Sequence, residues 1–141
     1  MLAYDKLVVS PGVELMWDTV AGLKAARDTQ RIVQAWKAGP ETMLLRQQLQ
    51  AMPDGGVFAI TVPEAPYRCP PGPYERACLV AGYFKAVKTR SKVLILDANP
   101  DVTSKPGLFK KSLGGKIPGY RRLPAKFQSR GGGCQSRCHQ I

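Results

Sequence analysis

The 141-residue sequence predicts an α/β fold, a partial nucleotide-binding-type (Rossmann-like) βαβ domain with a disordered C-terminal tail. Three observations predict it. Residues 57–62, "VFAITV", and 92–97, "KVLILD", are apolar runs of strand length. Between them "PYERACLVAGYFKAVKTR" sets Ala77, Val80, Ala81, Phe84 and Val87 on the inner side of a helix. A strand, a helix and a strand in close succession leave the strands parallel, and strands this apolar imply a sheet covered on both faces.

The upstream elements follow from local chemistry. Residues 2–10, "LAYDKLVVS", read as a strand, ended by a turn at Pro11-Gly12, where proline fixes φ and glycine tolerates most conformations. Residues 13–29 are mixed and loop-rich. In "TQRIVQAWKAG", Ile32, Val33 and Trp36 fall at helical spacing, and Gly39 stops the run; Trp36 reads as a core residue rather than a stacking platform. "PETMLLRQQLQAM" is the clearest helix, with Pro40 in the first turn and Met43, Leu44, Leu45, Leu49 and Met52 as its apolar stripe.

Charge and cysteine usage narrow the function. The net charge of +11 is concentrated: residues 112–141 hold six Lys and Arg and no acid, against 15 Lys and Arg and 10 acids in residues 1–111. No apolar run is long enough to span a bilayer. The first ten residues lack the pattern of a signal peptide, so a cytoplasmic location is expected of the chain as it stands. Four cysteines, at 69, 78, 134 and 138, do not make a disulfide framework at this length. "CQSRCH" gathers Cys134, Cys138 and His139, half a ligand set at best, so no metal site is expected.

The chemistry-bearing stretch is "APYRCPPGPYERAC", residues 65–78. Cys69 sits at the mouth of a helix, where unpaired N–H groups and the positive end of the helix dipole favour a thiolate. Arg68 is adjacent and Arg76 within a turn or two. Such a thiol is a nucleophile or redox centre, and the prolines around it fix where its sulfur points. The competing reading is a small buried residue capping the sheet. Cys78, inside the helix, reads as core. Tyr67 and Tyr74 flank the site, and Glu75, in the first helical turn, is a candidate for proton transfer. The loop before the helix has no Gly-x-Gly-x-x-Gly, so a pyrophosphate could not approach its backbone closely; Asp97, ending the second strand, reads as a cap rather than a ribose ligand.

The segments "YDKLVVSPG", "AWKAG", "MPDGGVFAITVPEAPYRCPPGPYERA" and "SKVLILDANP" resemble the flavoprotein subunit of flavocytochrome c sulfide dehydrogenase, a relative of sulfide:quinone oxidoreductases, from about Leu2 to Lys111. The resemblance implies an FAD enzyme with two dinucleotide-binding-type domains, which oxidises sulfide at a redox-active disulfide and passes electrons to a c-type cytochrome subunit in the periplasm. It implies that Cys69 is one half of that disulfide, with its partner in a later region the sequence lacks, and that Pro11 and Gly12 lie near the flavin. It further divides the chain into the end of an FAD-binding segment (1–29), a second nucleotide-binding-type domain (30–111) and the tail (112–141). The family often has His at the position of Gln34. The glycine-rich FAD motif has no counterpart here, so the chain alone is expected to be inactive and without FAD. The alternative is a small basic nucleic-acid-binding protein acting through residues 112–141, with salt-dependent binding lost on removing them. A third reading is a free-standing thiol-redox module. No membrane partner is expected.

Residues 112–141 have no sustained period, few large apolar residues and three consecutive glycines. Codons compatible with this tail, read one base later, encode "YRPNSKV", the continuation typical of the family, so a frame change near Ser112 is expected. Sequencing the gene checks this: the shifted frame is expected to continue the family pattern, and a gene in which no frame does so removes the idea.

Overall fold

The computed structural model describes residues 3–116 and 120–122, and side chains over residues 3–112. The chain divides into two compact units, Met1–Val33 and Gln34–Ile141.

In the first unit, a single 3-10 turn, Trp17–Thr19, precedes the short helix α1, Leu23–Asp28. The guanidinium of Arg27 lies 4.5 Å from the centre of the Trp17 ring, a cation–π contact that ties the helix to the turn. The strand expected over residues 2–10 does not form among residues 3–10. Its apolar side chains are exposed, Val8 at 87%, and no strand pairs with them among the described residues. A strand needs a neighbour for its backbone groups, and propensity alone does not supply one. Residues 13–29 in turn hold more helix than a loop-rich reading expects.

Residues 31–39, whose spacing predicts a helix, form bends and irregular backbone instead. The side chain of Gln34 competes for the backbone, its Oε1 accepting from the N–H groups of Trp36, at 2.5 Å, and Lys37, at 3.1 Å. Ala35 is left-handed at φ 45°. The helix α2, Pro40–Ala51, then forms where expected, with Pro40 in its first turn. Its stripe is shallower than the pattern implies: Met43 is exposed, and Leu49 with Met52, just past its end, packs against the core.

The strand β1, Val57–Val62, leads through residues 63–71 to α3, Gly72–Val87, and on to β2, Lys92–Asp97. The helix α4, Pro106–Lys116, and the strand β3, Tyr120–Arg122, follow. The sheet order is β1-β2-β3 and both pairings are parallel, with Val62 opposite Asp97 and Ile95 opposite Tyr120. This is the parallel βαβ architecture of a partial Rossmann-like domain. The helix α4 and the strand β3 extend order into the tail expected to be disordered from residue 112. Residues 120–122 find a ladder along Ile95–Asp97, which supplies the backbone partners their composition does not advertise.

The core lies on one face of the sheet. Ile60, Val62, Val93 and Ile95 meet Tyr74, Ala77, Val80 and Phe84 of α3, with Val102 and Phe109 closing one end. The rings of Tyr74 and Phe109 pack 5.4 Å apart. Val87, expected inside, is exposed. So are Val57, Ala59 and Thr61 on the other face of β1, so the expected cover on both faces is not present among the described residues. Burial alternates along β1 and β2 accordingly. Replacing Ile95, fully buried between α3 and the sheet, with Ala is expected to cost about 2–5 kcal/mol by urea denaturation. Leu79→Ala, on the outer side of α3 at 76% exposure, is expected to change stability by less than about 0.5 kcal/mol.

Candidate functional site

Residues 63–71 run from the carboxyl end of β1 to the first turn of α3. Ligands of open α/β sheets sit at this end of the strands. The loop contains a cis Ala65–Pro66 bond and carries Cys69, which is exposed and left-handed at φ 57°. A non-glycine residue in that region costs on the order of 1 kcal/mol, so its surroundings must hold it there. The turn closes with the N–H of Gly72 donating to the Cys69 carbonyl at 2.9 Å. Gly72 is buried at a close approach: an added Cβ would lie 3.1 Å from Cζ3 of Trp36 and 3.4 Å from Sγ of Cys69, so both would have to give by a few tenths of an ångström. The sulfur and the indole edge therefore border the same point at the start of α3.

Trp36 is neither core, as the sequence suggests, nor a free stacking platform. It is 47% exposed, and the guanidinium of Arg76 lies 3.6 Å from the centre of its ring. The same guanidinium donates to the carbonyls of Gln34, at 2.8 Å, and Ala35, at 2.5 Å. Burial lowers the Arg76 pKa from its usual value. Arg76, expected as a charge near Cys69, is thus spent on holding residues 34–36 against α3.

Behind the loop lies a hydrogen-bonded cluster. Asp97 is fully buried at the end of β2. It accepts from the Tyr74 hydroxyl at 2.6 Å and from the Asn99 backbone N–H and Nδ2 at 2.9 and 2.8 Å. Asn99 Nδ2 also donates to the Pro63 carbonyl, and its Oδ1 accepts from the Ala65 N–H, both at 2.8 Å. The Thr103 N–H donates to the Tyr74 hydroxyl at 3.3 Å. Tyr67 Oη lies 2.5 Å from Thr103 Oγ1 and donates to the Pro70 carbonyl at 3.2 Å. Burial, and then the Asp97 carboxylate, push the Tyr74 pKa far above the ordinary phenol value.

The remaining candidates sit apart. Glu75 is exposed in the first turn of α3, and no hydrogen bond joins it to Cys69 among the described residues. Cys78 is half-buried against the core; burial, and secondarily the Glu75 charge, raise its pKa, which suits an inert thiol. Both Cys69 and Cys78 are free. Pro11 and Gly12 belong to the first unit, where Gly12 takes φ 81° and a Cβ there would meet nothing within 4 Å. A concavity of about 420 Å³, lined by Trp17, Lys24 and Asp28 among others, also lies in that unit, and no candidate residue lines it. No cluster of three or more His, Cys, Asp or Glu could hold a metal among the described residues; Cys134, Cys138 and His139 lie outside them. No described helix is long and apolar enough to cross a membrane.

The βαβ unit does not fit a dinucleotide at its own crossover. Asp97 is turned inward to Tyr74 and Asn99, and the space beside Gly72 is filled by Trp36 and Cys69. What the end of the sheet presents instead is a thiol on a braced loop. A family model described as sulfide dehydrogenase (flavocytochrome c) flavoprotein chain, central, matches residues 42–128. The chain belongs to this family. The match takes in α2 from its third residue, β1, the Cys69 loop, α3, β2, α4 and β3. It passes Ser112 and ends at residue 128, so it does not support placing a frame change at Ser112. Nothing among the described residues favours the nucleic-acid alternative; of its six basic residues, 126, 130 and 137 lie beyond them.

Asn99 and Thr103 were not legible as site residues. The sole signal was polar chemistry directly after an apolar strand, in "DANPDVT", where Asn and Asp side chains habitually bond nearby backbone. The raised Tyr74 pKa sets a pH dependence. The phenol binds its proton more tightly folded than unfolded, so its contribution is complete below about pH 10 and is lost as pH rises beyond that value. The melting temperature is expected to fall above about pH 10, with a shallower fall in Tyr74→Phe, which also loses about 1–3 kcal/mol at neutral pH.

Proposed function

We propose that the chain supplies the central, thiol-bearing region of an FAD-dependent sulfide dehydrogenase, with Cys69 as one half of its redox disulfide. The observation that carries this reading is the exposed, left-handed Cys69 on a braced loop at the carboxyl end of the sheet, inside the span matched by the family. Cys78, half-buried against the core, is poorly placed for the same work.

In the proposed reaction hydrosulfide attacks one sulfur of the disulfide. A new S–S bond forms as a persulfide, the old S–S bond breaks, and its electron pair leaves on the other cysteine as thiolate. The second cysteine is not Cys78, and it lies outside the described residues. A second hydrosulfide takes the outer sulfur from the persulfide as hydrodisulfide and leaves both cysteines as thiolates. When bound, the flavin would accept the two electrons those thiolates give up as the disulfide re-forms, with a c-type cytochrome as the onward acceptor and the periplasm as the compartment. The residues of the βαβ crossover do not hold that flavin, and Pro11 and Gly12 are its proposed neighbours. Glu75 keeps a lesser proposed role, moving a proton near the first turn of α3.

Two measurements test the reading. The purified chain is expected to show no flavin absorbance and no sulfide-dependent reduction of cytochrome c; stoichiometric yellow cofactor would overturn that part. Given a polysulfide, the Cys69 thiolate should attack a sulfur–sulfur bond and keep one sulfur atom as persulfide, releasing the shortened polysulfide. Mass spectrometry is expected to place the added sulfur on Cys69, with none in Cys69→Ser. Addition at Cys78 instead, or at neither cysteine, sinks the assignment.

A further inference from the structure

We propose that Tyr67, held by Thr103, is a positioning residue that keeps the Cys69 turn in its left-handed form and so holds the sulfur at the first turn of α3. The inference rests on Cys69 being the working thiol, and it concerns residues with no assigned role.

The argument starts from strain. Cys69, at φ 57°, occupies a region that non-glycine residues leave unless something prevents it. The Gly72 N–H to Cys69 carbonyl bond closes the turn locally, and Pro70 and Pro71 stiffen it. Both act within the turn and the start of α3. The tie to the residues that follow β2 runs through Tyr67, whose hydroxyl donates to the carbonyl of Pro70, the residue next to Cys69. Tyr67 Oη also lies 2.5 Å from Thr103 Oγ1, a contact in which either hydroxyl can donate. Tyr67 thus joins Thr103 to the Pro70 carbonyl.

Thr103 is itself placed from below. Its N–H donates to the Tyr74 hydroxyl, which donates to Asp97. A chain of hydrogen bonds thus connects the buried end of β2 to the peptide beside the exposed thiol. Asn99 holds the other end of the loop, at Pro63 and Ala65, and leaves the Cys69 end to Tyr67. Released from Tyr67, the turn can relax toward negative φ and draw the sulfur away from its place beside Gly72 at the first turn of α3.

The test uses the full chain with Tyr67→Phe, Thr103→Val, the double variant and Thr103→Ser. Hydrogen exchange at the Gly72 amide is expected to speed up at least tenfold in Tyr67→Phe and Thr103→Val, and to keep the parent rate in Thr103→Ser. The Ala98 amide, bonded to the Val62 carbonyl at the end of the sheet, should not change. Alkylation of Cys69 by iodoacetamide is expected to slow at least threefold while that of Cys78 holds constant. The double variant should match the single ones, since both break the same chain of hydrogen bonds. Unchanged exchange at Gly72 overturns the proposal. So does a joint rise at Gly72, Ala98 and Cys78, which would mark general loosening of the fold. Should polysulfide fail to label Cys69 in the parent chain, the functional reading falls, while the exchange at Gly72 still decides whether Tyr67 holds the turn.

Discussion

The second unit is organised around one buried carboxylate. Asp97 ends β2 with no exposure to solvent, and a charge so placed is tolerable only if donors surround it. Tyr74 reaches it from α3, and Asn99 reaches it twice from the residues that follow the strand. Each donor is shared onward. Asn99 also fastens the loop that leaves β1, and the Tyr74 oxygen also accepts from Thr103. Satisfying one carboxylate therefore fixes how the crossover helix, the end of the sheet and the Cys69 loop sit together. Buried networks of this kind are costly when broken and specific when complete.

This explains why the site end of the domain is firmer than its loop composition suggests. Residues 63–71 bury little of their surface, yet they are sewn at Pro63 and Ala65 by Asn99 and at Pro70 by Tyr67. Arg76 does similar work for residues 34–36, answering two carbonyls and covering the face of Trp36. The exposed thiol is thus flanked by segments held through hydrogen bonds and one cation–π contact rather than by a deep core. The apolar core itself, centred on Ile95, Tyr74 and Phe84, lies on one face only.

The elements whose pattern is continuous were legible in the sequence. The two central strands, the crossover helix and α2 follow from apolar periodicity and from Pro40 in a first turn. The failures share a cause, which is that partners decided the outcome. Residues 3–10 have strand-like composition but no neighbouring strand among the described residues. Residues 31–39 have helical spacing, but the Gln34 side chain and Arg76 claim their backbone groups. Residues 120–122 look like tail and become a strand because β2 has a free edge. At the site, Cys69 stood out because cysteine and proline are conspicuous. Its bracing did not, because Asn99 and Thr103 lie 34 and 36 positions from Ala65 and Tyr67, the loop residues they bond, and only folding brings them together.

The same logic bears on why a dinucleotide-type crossover carries a thiol here. In such folds the acid ending the second strand faces a ribose, and the first turn opens onto phosphates. In this chain the acid has turned inward, and the first turn has closed over Gly72 with a sulfur and an indole at its border. Both changes depend on each other. An inward Asp97 is answered by Tyr74 and Asn99, and Asn99 in turn pins the loop at Pro63 and Ala65. The crossover of this chain thereby carries an exposed cysteine on a loop braced by hydrogen bonds.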